Sequence, residues 1–314
     1  MTSNDCPIEI SGLTKTYGAF TAVDGLNLSI KKNSFTGLLG PNGAGKSTTL
    51  KILTNLIRAS SGSAYLNGVD VTKDAKNALM GVGTVVETPE FYLYLTPKES
   101  LEYLGKIIGM TSESISAQTT EILEKVKMTE WADKRLGTFS KGMRQRIALG
   151  QALLDDPSII ILDEPTSGLD PRGMAETREI LKNLKTGNLT ILMSSHMLYE
   201  VSDLCDRVAM INHGKLLVHD DMSKILGMNN GARSLKLKLL NTISDDDINT
   251  IGKMNNVVST SRVGMDLEVA LDGGNEGQAT FLREIASMNF GVYSLAENEN
   301  SLEATYLSLI KESR

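Results

Sequence analysis

The chain has 314 residues, a length that predicts about two domains, and 41% of them are hydrophobic, enough for real cores. Its net charge of −6, with an isoelectric point near 5.3, argues against a nucleic-acid partner, which usually demands a basic face. Cys6 and Cys205 suggest neither a disulfide framework nor a zinc spacing and suit a reducing cytoplasm; the first residues do not read as a signal peptide, and no apolar run approaches the roughly 18 residues of a spanning helix, so a membrane is expected to be reached only through a partner.

Strand and helix patterns alternate from residue 8 to about 225. The first diagnostic stretch is Gly40-Pro41-Asn42-Gly43-Ala44-Gly45-Lys46-Ser47, followed by Thr48. It fits the phosphate-binding pattern G-x-x-x-x-G-K-[ST]. The apolar run Phe35–Leu39 predicts a strand before it, and Leu50, Leu53 and Ile57 predict a helix after it. The glycines let the backbone curl so that its N–H groups face phosphate oxygens. The helix N-terminus adds partial positive charge. Lys46 is placed to reach the β- and γ-phosphates of a nucleotide, and the Ser47 hydroxyl to bind Mg²⁺.

Residues 82–86 predict another strand, with Glu87 directly after it. Residues 88–95 then bring together Phe91, Tyr92 and Tyr94. They either receive a segment of a partner or pack between two lobes of the chain itself. Thr96 and Glu99 form a capping box around Pro97, and Leu101, Leu104 and Ile108 share one face of the helix that follows. Residues 110–135 are polar and helical, without a strand signal, which predicts an inserted helical subdomain over about residues 96–155. Within it Ser140 caps a helix through Ala148, Leu149, Ala152 and Leu153, and Gly142 permits close backbone approach. That helix start could bind a second anion, although alone it reads as an ordinary capped helix.

Residues 158–162 and 190–193 are short, β-branched apolar runs, as expected of strands buried on both faces. Between them Asp170-Pro171 starts a helix carrying Met174, Leu181 and Leu184. Strand, helix, strand predicts an α/β fold with a largely parallel sheet. The first of these strands ends in Asp163 and Glu164. Asp163 is placed to hold Mg²⁺ and Glu164 to polarise a water; a solvated acidic turn is the alternative. His196 follows the second strand. Cys205 lies on the apolar face of Val201, Leu204 and Val208, whereas His213 and His219 read as surface residues.

Near residue 226 the character changes. A turn-rich linker over 227–231 precedes an alternating strand at Leu235, Leu237 and Leu239, and Ser244 caps a helix with Ile248 and Ile251. A hairpin around Gly264, a helix with Phe281, Ile285 and Met288, a strand over 291–295 and a closing helix at Leu302, Tyr306, Leu309 and Ile310 complete the pattern. The order predicts a small ferredoxin-like α+β domain over 226–314, after a first domain over 1–225.

Together these residues resemble the nucleotide-binding subunit of an ATP-binding cassette (ABC) transporter over about residues 8–225. Gly40 to Ser47 matches the Walker A loop, and the strand ending in Asp163 and Glu164 matches Walker B. Ser140 to Met143 stands where the LSGGQ signature lies, Ser167-Gly168-Leu169-Asp170 matches the D-loop, His196 the switch histidine, and Tyr17 the aromatic that stacks on adenine. The resemblance implies a P-loop NTPase fold and ATP hydrolysis with Mg²⁺. It implies catalytic roles for Lys46, Glu164 and His196, and Mg²⁺ contacts from Ser47, Asp163 and Glu87. Nucleotide contacts are implied for Tyr17, the loop through Thr48, Glu87, Ser140, Lys141, Gly142 and Asp170. It further implies a dimer with a second copy or a paralogous ATPase, a separate membrane permease, and a place at the cytoplasmic face of the cell membrane.

Two departures sharpen the expectation. Phe139, Lys141 and Met143 replace the usual Leu, Gly and Gln of the signature, which leaves open whether Lys141 touches nucleotide. Glu87 replaces a glutamine, as is similar to a subset of exporters that expel antimicrobial peptides such as bacitracin and lantibiotics. The tail Leu302-Glu303-Ala304-Thr305-Tyr306-Leu307 looks like those of ATPases serving ABC-2-type permeases, and the C-terminal domain is read as regulatory or dimer-supporting. A permease-free ABC ATPase is the competing class; a single cassette, acidic balance and absence of sustained heptads argue against it. An importer subunit differs from an exporter only by its partner.

Overall fold

Two long strands, β1 (Ile8–Tyr17) and β2 (Phe20–Ile30), open the fold and pair antiparallel across Gly18-Ala19, which sets Tyr17 opposite Phe20. The computed structural model describes residues 5–185, 187–227, 233–240, 243–264, 266–288, 290–297, 302 and 306. The chain divides into two units, Met1–Met222 and Ser223–Arg314.

In the first unit, β3 (Phe35–Leu39) leads through the glycine-rich loop into α1 (Lys46–Leu53). Then come β4 (Ser61–Leu66), β5 (Val69–Asp70), the short α2 (Ala75–Ala78) and β6 (Val82–Val85). Helices α3 (Pro97–Ile108), α4 (Ser112–Lys125) and α5 (Lys141–Ala152) pack on one another as the expected helical insertion. Both halves of the Thr96/Glu99 capping box form at the start of α3. The chain returns through β7 (Ile159–Asp163), α6 (Pro171–Leu184), β8 (Thr190–Ser195), α7 (Leu198–Leu204), β9 (Arg207–Asn212) and β10 (Lys215–Asp221), and α8 (Met222–Gly227) starts on the last residue of this unit.

The continuous apolar runs become the centre of a six-stranded sheet of order β10-β9-β3-β8-β7-β6. It is parallel except at β10, which runs antiparallel to β9. Every residue of β3, β8 and β9 is buried, the pattern of strands covered on both faces. A second sheet, β2-β1-β4-β5, is antiparallel. One core joins both: Ile8, Ile30 and Leu66 from the antiparallel sheet, Leu50 and Leu53 from α1, Ile161 and Leu192 from the parallel one. Each such side chain contributes about 1.5–3 kcal/mol of burial. The parallel register sets Leu39 beside Ser195 and Asp163 beside Ser194. The C-terminal ends of β3, β7 and β8 therefore share one edge, where open α/β sheets bind ligands.

The second unit orders β11 (Arg233–Leu239), α9 (Asp245–Gly252), β12 (Val257–Val263), β13 (Asp266–Leu271), α10 (Gly274–Ser287) and β14 (Val292–Glu297). Its sheet, β12-β13-β11-β14, is antiparallel throughout, the ferredoxin-like arrangement that the alternation predicts. Leu235, Leu237, Leu267, Val269 and Phe281 form its core. Gly227, read as the start of a linker, instead ends α8. Linker residues 228–231 and the closing helix, apart from Leu302 and Tyr306, lie outside the described residues.

Candidate functional site

The loop between β3 and α1 must turn sharply to aim the helix start at a ligand. Gly45 permits this with a left-handed φ of 101°, and a Cβ there would lie 2.4 Å from the Ala22 carbonyl oxygen. Lys46 opens α1 with its side chain buried. Its Nζ donates to the carbonyls of Gly40 at 2.8 Å and Pro41 at 3.2 Å and lies 3.5 Å from Glu164 Oε1. The loop's own carbonyls thus hold the ammonium over the loop. Asn42, Gly43, Gly45, Lys46, Ser47, Thr48 and Glu164 line a cavity of about 170 Å³ together with Phe20 and Ala22 of β2. Gly40, Pro41 and Ala44 shape the loop from behind: Ala44 N donates to Pro41 O at 3.1 Å, and Ala44 is buried.

At the end of β7 the two carboxylates have different partners. Asp163 Oδ1 accepts from Ser47 Oγ at 3.1 Å and from Ser194 Oγ of β8. Glu164 takes a φ of 43°, unusual for a residue with a Cβ, and its N–H donates to Ser194 Oγ at 2.9 Å. This kink turns both acids toward one site, which straight strand geometry would forbid. Glu164 Oε2 lies 3.1 Å from His196 Nδ1, so Lys46 and His196 flank one carboxylate. Ser47 and Asp163 offer hard oxygen donors, and among the described residues no group of three or more His, Cys, Asp or Glu side chains is placed to hold a metal ion. That donor set fits Mg²⁺, which keeps waters and substrate phosphate oxygens in its shell.

Ser140 and Asp170 cap α5 and α6 through the N–H groups of Met143 and Gly173, at 3.2 and 3.1 Å. They line a different cavity, of about 430 Å³, with Gly142, Met143, Arg146 and Arg172; no residue lines both it and the glycine-rich-loop cavity. Gly142 has a packing role within the chain that the sequence reading lacked: a Cβ there would sit 3.3 Å from Gly173 Cα. Lys141 does not point freely into the cavity; its Nζ donates to the Ser167 carbonyl at 2.9 Å.

Other expected site residues have specific neighbours. Glu87 is ion-paired with Lys51 of α1, and this hydrogen bond raises the Lys51 pKa. Tyr17 ends β1 half exposed, with Lys15 Nζ 5.0 Å from its ring centroid. Phe20, across the turn from Tyr17 and 61% exposed, was not singled out by the sequence, although an aromatic pair flanking a two-residue glycine turn was the available signal. His219 is half-buried rather than on the surface, and burial together with nearby Arg207 pushes its pKa down. Cys205 is buried, as its apolar face predicted, and burial raises its thiol pKa.

A phosphate cradle between a buried strand and a helix, beside a strand-terminal acid pair, defines a P-loop nucleotide hydrolase. Residues 23–167 match the family described as ABC transporter. Over 211 residues, 67% of this chain and 68% of that protein, the chain is 43% identical to the bacitracin transport ATP-binding protein BcrA of Bacillus licheniformis. It is 31% identical over 304 residues, 96% of this chain and 97% of that protein, to the linearmycin resistance ATP-binding protein LnrL of Bacillus subtilis (strain 168). A dimeric, post-hydrolysis ATP-binding cassette bound to ADP and Pi superposes with a TM-score of 0.61 at 25% identity, covering 68% of this chain and 98% of that one. The chain belongs to the ABC transporter family as an ATP-binding, ATP-hydrolysing subunit.

Proposed function

We propose that two copies of this chain, or one copy and a paralogue, close head to tail on ATP and drive a separate permease that exports an antibiotic such as an antimicrobial peptide. The observation that carries the dimer is the division of the site. The glycine-rich-loop cavity holds Lys46 and Glu164, whereas Ser140 and Gly142 line a second cavity with no residue in common. The signature helix start is therefore available to cover a nucleotide bound on another chain. Export is supported by the likeness to the bacitracin and linearmycin proteins. Among the described residues no helix is long and apolar enough to cross a membrane, so a place at the cytoplasmic face would depend on the permease.

In this reading the loop N–H groups and Lys46 hold the β- and γ-phosphates, with Tyr17 and Phe20 beside the base. Glu164 accepts the proton of the attacking water, and His196 presents its other ring nitrogen to a γ-phosphate oxygen. Ser47 and Asp163 would hold Mg²⁺, with Glu87 at its margin, and the ion would neutralise phosphate charge. Lys141 braces the turn before Asp170 through the Ser167 carbonyl that it binds.

Complementation tests the composite site. Ser140→Arg and Lys46→Ala chains should each be inactive alone and regain hydrolysis when mixed, because one intact loop then faces one intact signature. No recovery in a mixture that still dimerises would refute it. The permease is expected at the groove of about 480 Å³ lined by Thr88, Glu90, Phe91, Leu93, Lys141 and Arg144. Phe91→Ala should weaken co-purification of the permease from membranes about tenfold, the scale of an aromatic anchor. Undiminished recovery would move the docking site elsewhere.

A further inference from the structure

Glu200 is 1% exposed, in the first turn of α7, and plays no part in the hydrolytic scheme above. Its two oxygens have different partners. Oε1 accepts from Thr166 Oγ1, and Oε2 accepts from Ser195 Oγ at 3.0 Å. Ser195 Oγ in turn accepts from Met197 N at 2.9 Å. Both hydroxyl residues are buried as well. Thr166 follows Glu164 by two residues, and Ser195 immediately precedes His196. The carboxylate therefore ties together the two chain segments whose side chains meet, 3.1 Å apart, at the reacting centre.

Both Glu200 oxygens are met by neutral hydroxyls. No ion pair to Glu200 occurs among the described residues, and a buried carboxylate costs free energy unless hydrogen bonds satisfy it. An apolar side chain would avoid desolvating a charge but would leave the buried Thr166 and Ser195 hydroxyls without this acceptor. A bridging acceptor does something an apolar residue cannot: moving either segment away breaks a charge-assisted hydrogen bond.

We infer that Glu200 is a positioning residue for ATP hydrolysis, a buried bridge that fixes the spacing of Glu164 and His196. The inference rests on the roles proposed above for those two residues. A side-chain shift of about 1 Å can cost about 10²-fold in rate when it misplaces a reacting group. The bridge thus acts on turnover while leaving the nucleotide cradle, built on β3 and α1, intact.

The test uses the full chain and three near-isosteric variants, Glu200→Gln, Thr166→Val and Ser195→Ala. Glutamine keeps the volume but leaves only one accepting oxygen for two hydroxyl donors. Each variant should lose about tenfold or more in kcat, with KM for ATP within about twofold of the parent. Thr166→Val combined with Ser195→Ala should lose no more than Glu200→Gln, because all three break one unit. Wild-type kcat in folded variants, or a lowered Tm with kcat unchanged, overturns the inference. So does a raised KM at constant kcat. Should Glu200→Gln not fold, the kcat of the two hydroxyl variants decides on the same terms. Hydrolysis by Glu164→Gln at the parental rate would instead remove the underlying reading, so the two failures are distinguishable.

Discussion

A chain carrying Glu164→Gln should bind ATP, close into a dimer and stay there. Glu164 is the carboxylate at the end of β7 that faces both Lys46, at 3.5 Å, and His196, at 3.1 Å. Glutamine has the same shape and can keep one hydrogen bond to either neighbour, so the cradle survives. What it lacks is the ability to take a proton from water, and loss of a general base costs about 10²–10⁴-fold in rate. Binding moves the other way. In the proposed scheme Glu164 contributes a negative charge beside the ammonium that binds the γ-phosphate, and like charges a few ångströms apart repel. Removing the charge frees Lys46 for phosphate, so ATP affinity should hold or rise while turnover stops. Light scattering with ATP should detect the dimer, and phosphate release should be near background. Undiminished steady-state hydrolysis would refute the assignment of Glu164 as base. Loss of ATP binding would mean that the side chain holds the nucleotide instead.

The parts of the site that were legible in the sequence are contiguous in it. Gly40 to Ser47 carries its own geometry, because the turn, the helix start and the lysine lie within one stretch flanked by recognisable periodicities. Asp163 and Glu164 were legible because a buried apolar run ends on them. The partners that orient these groups were not. Ser194 serves both acids only because the parallel register of β7 and β8 brings it beside Asp163. Lys141 finds the Ser167 carbonyl, and Glu87 finds Lys51, across distances that periodicity does not encode. The same holds for the fold. Runs of buried residues predict strands, and alternation predicts the ferredoxin-like unit, but neither says that β3 lies between β8 and β9. Glu200 illustrates the limit: as a sequence it is one acid in a helix, and only packing reveals a buried bridge.

Packing also makes Gly83→Ala the substitution with the largest expected effect on the fold. Gly83 is buried in β6, against the end of α5. A Cβ there would lie 1.8 Å from the carbonyl oxygen of Ala152 and 2.8 Å from its carbon. These are backbone atoms of a helix, so no rotamer change relieves the contact. Either α5 or β6 must move. Overpacking of this kind costs about 1–3 kcal/mol and more where the neighbour is rigid, which is a large part of an ordinary domain's stability. Thermal unfolding should therefore shift down by several degrees or more. As a control, Gly187→Ala should leave Tm unchanged, because its Cβ would meet only the Leu184 carbonyl oxygen, at 3.7 Å. The functional consequence should be selective. The helix that moves begins at Ser140 and the strand that moves leads to Glu87, whereas the glycine-rich loop rests on β3 and α1. In the fraction that folds, ATP binding should persist while dimer-dependent hydrolysis falls. A parental Tm for Gly83→Ala would mean that α5 does not press on β6. Equal losses of binding and hydrolysis would mean that the two halves of the site are not structurally separable.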